Sequence, residues 1–477
     1  MRKIMNWVLA AILICGASVF AACSSNEDSP SPAEQSKKDR KEFITHCRNN
    51  LKYMAEHMNF GSWEAANNLN MRLNEDVLNN PTFEKAVTPL FLQKIKESAK
   101  PVEEGSELAE LGYKMYSTID LTDFNYRFTM NDDNTGFIVE PAENFEMIIN
   151  SNNPITQQME KGIFKLLLKA GGQSYKMLVT RMSTEDMAVV VLVPEDFVFA
   201  ISDKLSGSWR DIFTGTFKNQ MKTNDPSKII VKQNDGYTVG GTLTSNIPAV
   251  AAINKPADAT TLKFLIDSDR KAKKGTAMVA FEQNGQKMVE LNLKVSSDEQ
   301  VGLYNLDLTK LSSGASIIDL LSAIWNTRRL DEGKIVLLDD LETTVSISNM
   351  AKAVQLNGQM ASARRNYADQ QTINGYADQL NELISATMTC KGVEQTIPMR
   401  IVTTKIGVDW WAVPGLNFAD ENGYVAITDM LDKESVEYGF NIVDHAVGPM
   451  AQSVITVRQL IQFVQSFIIP RATVGRR

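Results

Sequence analysis

Residues 274–296 read KGTAMVAFEQNGQKMVELNLKVS. Two runs, 277–281 and 287–295, flank Asn284-Gly285. That dipeptide tolerates consecutive left-handed residues, which a type I′ hairpin turn requires. In the second run Val289, Leu291, Leu293 and Val295 alternate with Glu290, Asn292 and Lys294. This is the period of a strand with one buried face. The stretch reads as a β-hairpin, and strands joined by a tight turn are antiparallel.

The same signals recur on both sides. Strand 262–266 is expected to pair with 277–281 across the basic loop 270–274, and 228–232 with 237–244 across Asn234-Asp235-Gly236. Further pairs are 124–130 with 137–139 across the turn 131–136, 174–180 with 187–193, and 335–338 with 343–348 across Asp339-Asp340. Two more strands are read at 397–403 and 408–413.

Helical spacing dominates the N-terminal part. Phe43, Cys47, Leu51, Met54 and Met58 make one apolar stripe. A second helix is capped by Ser62, a third carries Phe83, Val87, Leu90, Phe91 and Ile95, and a shorter one spans 107–116. Later helices are expected from Pro154 to Gly171-Gly172, over Leu205, Trp209, Ile212, Phe213 and Phe217, and at 313–325, 366–388 and 450–468. The fold class read from these patterns is α+β, with an N-terminal helical segment packed on an antiparallel, hairpin-rich sheet with covering helices. The expected divisions are 38–118 (helical), 119–350 (β-rich) and 351–477 (mixed, ending in an amphipathic docking helix).

The chain has 477 residues, and 49 Lys and Arg stand against 57 Asp and Glu. The net charge of −8 disfavours a nucleic-acid backbone as partner. Its start is distinctive. Arg2 and Lys3 precede a 14-residue apolar run, 7–20, which Ala21-Ala22-Cys23 closes. A membrane-spanning helix needs about 20 apolar residues, so this run has the layout of an export signal. Val19-Phe20-Ala21-Ala22-Cys23 resembles the lipobox of bacterial lipoproteins, although Phe20 stands where the family usually has Leu. The resemblance implies cleavage after Ala22, acylation of Cys23 and a partner membrane held through the acyl chains. Residues 23–37, poor in apolar side chains and rich in Ser, Pro and acids, read as a tether. Glu27-Asp28 resembles the acidic export tag of Bacteroidota surface lipoproteins. The expected place is the outer membrane, facing the cell surface or the periplasm.

Catalytic motifs are missing: there is no G-x-S-x-G, P-loop, G-x-G-x-x-G, H-E-x-x-H or C-x-x-C. Ser268 and Lys271 have the spacing of a Ser-Lys pair but lack its companion motifs. Four Cys and three His make a zinc cluster improbable by count. His46 and His57 are separated by about 16 Å of helical rise, too far for one ion. They are expected at the edge of the apolar stripe, and His445 beside Asp444 has no assignable nucleophile. Residues 131–136 match a calcium loop only in part, since Ala142 stands where its bidentate acid belongs. Cys47 and Cys390 are either bridged or buried as thiols. No catalytic residue, metal or cofactor is expected. Trp410 and Trp411 are the candidate ligand-binding residues, because neighbours on a strand point to opposite faces and one ring is then available to a sugar or a partner.

Three functions fit. The first is a non-catalytic binding or scaffold lipoprotein with a glycan, peptide or envelope-protein partner. The others are a carrier or assembly factor for an apolar ligand, and a hydrolase with an unfamiliar site.

Overall fold

The computed structural model describes residues 32–57, 81–152, 158–173, 175–178, 186–205, 207–222, 228–230, 236–246, 259–269, 271–296, 329–406, 408–418 and 423–442. The expected signal segment, Cys23, His445 and the helices at 62–77, 313–325 and 450–468 lie outside the described residues. Two compact units are present. One draws on residues 1–60, 272–306 and 318–452, and begins in the described chain with helix α1 (Pro32–His57). This helix starts within the stretch read as tether. The other, the central unit, draws on 61–271, 307–317 and 453–477.

The expected α+β class with covering helices is overturned. The structure is mostly β, 51% strand against 27% helical. Two segments account for much of the difference.

In the central unit the chain runs through α2 (Pro81–Glu97), β1 (Lys100–Pro101), α3 (Glu107–Glu110), β2 (Met115–Asp120), β3 (Tyr126–Met130), β4 (Phe137–Pro141), β5 (Phe145–Asn152) and β6 (Met159–Gly171). It continues through β7 (Tyr175–Leu178), β8 (Met187–Val193), β9 (Asp196–Asp203), β10 (Arg210–Met221), β11 (Ile229–Ile230), β12 (Gly236–Ser245) and β13 (Thr260–Asp269). The helix expected after Pro154 is strand β6, and the helix expected at 205–217 is β10. Each carries a β-bulge. The β9–β10 register shifts between Asp211 and Phe213, so Ile212 and Phe213 are both buried. The β5–β6 register shifts between Ile149 and Ser151, and Ile163 and Phe164 are both buried. In β10 the extra residue breaks the period of two and leaves spacings that imitate a helix, whereas the helix at β6 is read from Pro154 and Gly171-Gly172.

The ladder in this unit runs β13-β12-β10-β9-β6-β5-β3-β4, antiparallel apart from the β3–β5 pair. Strands β1, β2, β8, β7 and β11 form a second sheet, in which β2 pairs parallel with β8. Ile229 and Ile230 join this sheet, parallel to β7, so the hairpin expected across 234–236 does not form. Strand β12 pairs instead with β10 and β13. Ala188 to Val191 are all buried, as expected of a strand covered on both faces.

One ladder face is apolar. Phe199 packs on Phe213 and Phe217 at 5.6 and 5.7 Å between ring centroids, and Phe217 on Phe264 at 5.8 Å. Gly215 makes room for this row, because a Cβ there meets the Phe199 ring at 2.1 Å. On the other face Asp267 accepts from Lys222 Nζ at 2.7 Å and from Thr238 Oγ1 at 2.5 Å. Burial alone raises the Asp267 pKa, and these two donors outweigh it, holding the carboxyl below its ordinary value.

The other unit holds β14 (Lys274–Gln283), β15 (Gln286–Ser296), β16 (Arg329–Leu337), β17 (Leu341–Ile347), α4 (Met350–Arg365), α5 (Gln370–Asn381), β18 (Ile384–Cys390), β19 (Ile397–Ile406) and β20 (Asp409–Leu416). It continues with β21 (Val425–Ala426), α6 (Ile427–Met430) and α7 (Lys433–Ile442). Strands β14 to β21 form an antiparallel meander in chain order. The β14–β15 turn is as expected, with Asn284 at φ 51 and Gly285 at φ 81. The long helix expected at 366–388 is α5 followed by strand β18, and α4 precedes it. Among the described residues no helix is long and apolar enough to cross a membrane.

Two outcomes follow for the central unit. Gly215→Ala displaces Phe199 and costs about 1–3 kcal/mol, the usual range for overpacking, read as a lower denaturant midpoint at unchanged slope. The depressed Asp267 pKa favours the fold above the ordinary carboxylate pKa of about 3.9, and that contribution is lost as pH falls through the folded value. Asp267→Asn therefore costs less than about 1 kcal/mol near pH 6, and the gap narrows in unfolding curves as pH falls through the folded carboxyl's range.

Candidate functional site

Helix α1 buries Phe43, Cys47, Leu51 and Met54 almost completely, as its stripe predicts. Phe43 meets Phe418, just past β20, at 5.6 Å between ring centroids. His46 and Asn50 are four residues apart, so they lie one above the other on the helix. Both reach one carboxylate. Asn50 Nδ2 donates to Asp340 Oδ2 at 3.1 Å, and His46 Nδ1 lies 3.4 Å from the same oxygen.

Asp340 is placed by a turn. Leu338 and Asp339 have φ 52 and 55, and the Asp340 N–H donates to the Leu337 carbonyl at 2.9 Å. A left-handed Leu is uncommon, so strand closure outweighs its local preference here. Leu341, the next residue, stands opposite Cys390 in the β17–β18 register, and Lys391 N–H donates to the Asp340 carbonyl at 3.2 Å. His46, Asp340 and Cys390 thereby offer ligand atoms that all lie within 4.8 Å of one another.

Burial dominates the electrostatics of this group. The Asp340 side chain is 2% exposed and that of His46 15%. Burial raises the Asp340 pKa against the pull of His46, Asn50 and Lys391. Asp340 Oδ1 is buried with no hydrogen-bond partner. Burial, then the charges of Asp340 and Glu42, push the Cys390 thiol up to about 12, and its Sγ lies 3.6 Å from the Lys391 carbonyl. Cys47 and Cys390 are both buried and no disulfide joins them. The expectation for His46 as a lone edge residue captured its helix position and missed its partners, which stand 294 residues away in sequence. His57 stacks on Tyr53 at 4.0 Å between centroids, apart from this group.

Trp410 and Trp411 are both half-buried on β20. The Arg364 guanidinium from α4 lies 3.6 Å from the Trp411 ring centroid, so that ring face is covered. Lys405 Nζ is 6.0 Å from the Trp410 ring. Burial is the first cause lowering the Arg364 pKa, and Asp409 opposes it.

The turn 131–136 and the Ser268–Lys271 pair lie in the central unit. Asn131 Oδ1 accepts from the Thr135 and Gly136 N–H groups, closing a hairpin turn. Ser268 is buried on β13 opposite Tyr237, and Lys271 is exposed beyond the strand.

Comparison of the chain with family models, with curated proteins and with solved structures returned no match.

In a double-mutant cycle, Arg364→Ala and Trp411→Ala are expected to couple by about 0.5–1 kcal/mol in unfolding free energy, the scale of a partly exposed cation–π pair. A coupling near zero means that the stack adds no stability.

Proposed function

We propose that the chain is an outer-membrane lipoprotein, acylated on Cys23, with a non-catalytic binding role towards a glycan or an envelope-protein partner. The observation that carries the binding role is the polar face of the central ladder, exposed at Lys169, Val198 and Thr216 and half-buried at its other threonines. Thr216, Thr242 and Lys263 form one row with Lys169 and Val198, and Thr214, Thr244 and Thr261 form another. Thr244 and Thr261 hydroxyls share a hydrogen bond at 3.1 Å. Strands about 4.8 Å apart hold these hydroxyls on a fixed lattice. Hydroxyls both donate and accept, which suits a polyhydroxylated ligand, and a rigid lattice loses little freedom on binding. The address rests on the resemblance of residues 19–23 to a lipobox, with a polar tether behind them. More than one acyl chain is needed for stable anchoring.

The address is tested by feeding cells labelled palmitate. Label is expected in the wild type and absent from Cys23→Ser, and an unlabelled wild type removes the anchor. For the binding role, Thr216→Glu with Thr242→Glu is expected to lower glycan-array or envelope-partner binding at least tenfold with an unchanged unfolding midpoint. Undiminished binding rules this face out.

A further inference from the structure

We infer that the His46 imidazole, the Asp340 carboxylate and the Cys390 thiolate form a binding site for one borderline divalent cation of the Zn²⁺ class. The three side chains come from a helix, a hairpin turn and a strand end, and their ligand atoms lie within 4.8 Å of one another. The His46 Nδ1 to Asp340 Oδ2 separation of 3.4 Å is long for a charge-assisted hydrogen bond. It matches the nitrogen–oxygen edge of a tetrahedron around zinc, about 3.4 Å for bonds near 2.0–2.1 Å. A second observation points the same way. Asp340 Oδ1 is buried without a hydrogen-bond partner in a side chain only 2% exposed. A carboxylate oxygen left in that state is costly unless a cation or donor meets it.

The donor set selects the metal class. One thiolate, one imidazole and one carboxylate are a mixed set that suits zinc, whereas Mg²⁺ and Ca²⁺ take oxygen ligands. Three protein ligands leave the fourth position to water. Asn50, already donating to Asp340 Oδ2 at 3.1 Å, orients the carboxylate from outside the ligand set. When the ion binds, the Cys390 S–H bond breaks, its proton goes to solvent and the sulfur lone pair forms the metal bond, with no change of oxidation state. The ion then ties α1 to the β16–β17 turn and to the end of β18. Residues far apart in the chain (46, 340 and 390) supply it, so no spacing motif marks it.

The test uses the full chain, stripped with chelator and titrated with Zn²⁺ and with Co²⁺ as a spectroscopic probe. One equivalent is expected to bind, with a thiolate-to-cobalt charge-transfer band and the intense visible bands of a tetrahedral ion. Cys390→Ser abolishes the charge-transfer band, Cys47→Ser keeps it, and His46→Gln weakens the Kd by about 100-fold. Asn50→Ala, which removes only the orienting contact, weakens it by about 10–100-fold. If a variant fails to fold, the wild-type band together with its survival in Cys47→Ser and Cys23→Ser decides for Cys390. No bound equivalent in the wild type, a cobalt spectrum without thiolate character, or an unchanged Kd in folded His46→Gln overturns the site.

Discussion

A strand hydrogen-bonded on both sides leaves its side chains two directions, and each of the two ladders sorts its residues by that constraint. In the central unit the Phe213, Phe199, Phe217 and Phe264 rings occupy one side, while Thr and Lys rows take the other. Gly215 lets a ring lie across the backbone where a side chain would block it. Aromatic cover of a strand glycine restores contact area that the glycine itself cannot provide. The bulges at Asp211–Phe213 and Ile149–Ser151 re-aim the strands without interrupting the ladder.

The same constraint produces the polar group in the other unit. Antiparallel pairing fixes Leu341 opposite Cys390, and the turn before Leu341 carries Asp340 into the space beside the sulfur. Helix α1 closes that space because its apolar stripe seeks the sheet, and His46 and Asn50 ride on the flank of the stripe. Only Asp340 is placed locally, by the turn through Leu338 and Asp339. The others are placed by elements that pack for apolar reasons and carry a polar atom with them.

This explains what was legible in advance. The hairpin at Asn284-Gly285 was readable because its turn requires left-handed backbone, which leaves a chemical trace, whereas at the next turn the Asp339-Asp340 pair was legible and the left-handed Leu338 was not. The α1 stripe was readable because a 3.6-residue period survives when one face packs. Strand β10 was misread as a helix because it buries two adjacent residues at a bulge, and β6 because Pro154 and Gly171-Gly172 carry the signals of a helix start and stop; pairing register is not written in either strand alone. Helix α4 was missed because only Met350, Ala353 and Leu356 are buried on it. The helix read over 366–388 ran on into β18, since Leu383 and Ile384 continue the apolar spacing. The His46 group was invisible because its members are brought together by tertiary pairing across nearly 300 residues. For the Trp pair, strand position was foreseen, and the Arg364 cover on Trp411 came from a helix that was not.

The separation between Asn50 and Asp340, 290 residues, has a temporal consequence. At a translation speed of about 5–20 residues per second, roughly 15–60 s pass between the synthesis of the two. During that interval the amphipathic helix has no docking surface, since Phe418 and the strand that ends in Cys390 do not yet exist. The central unit, drawn mostly from the contiguous stretch 61–271, meets no such delay. Native contacts of high sequence separation are also the slow ones to form. Until the late strands arrive, the apolar stripe of α1 lacks the partners it packs on and is open to a holdase chaperone.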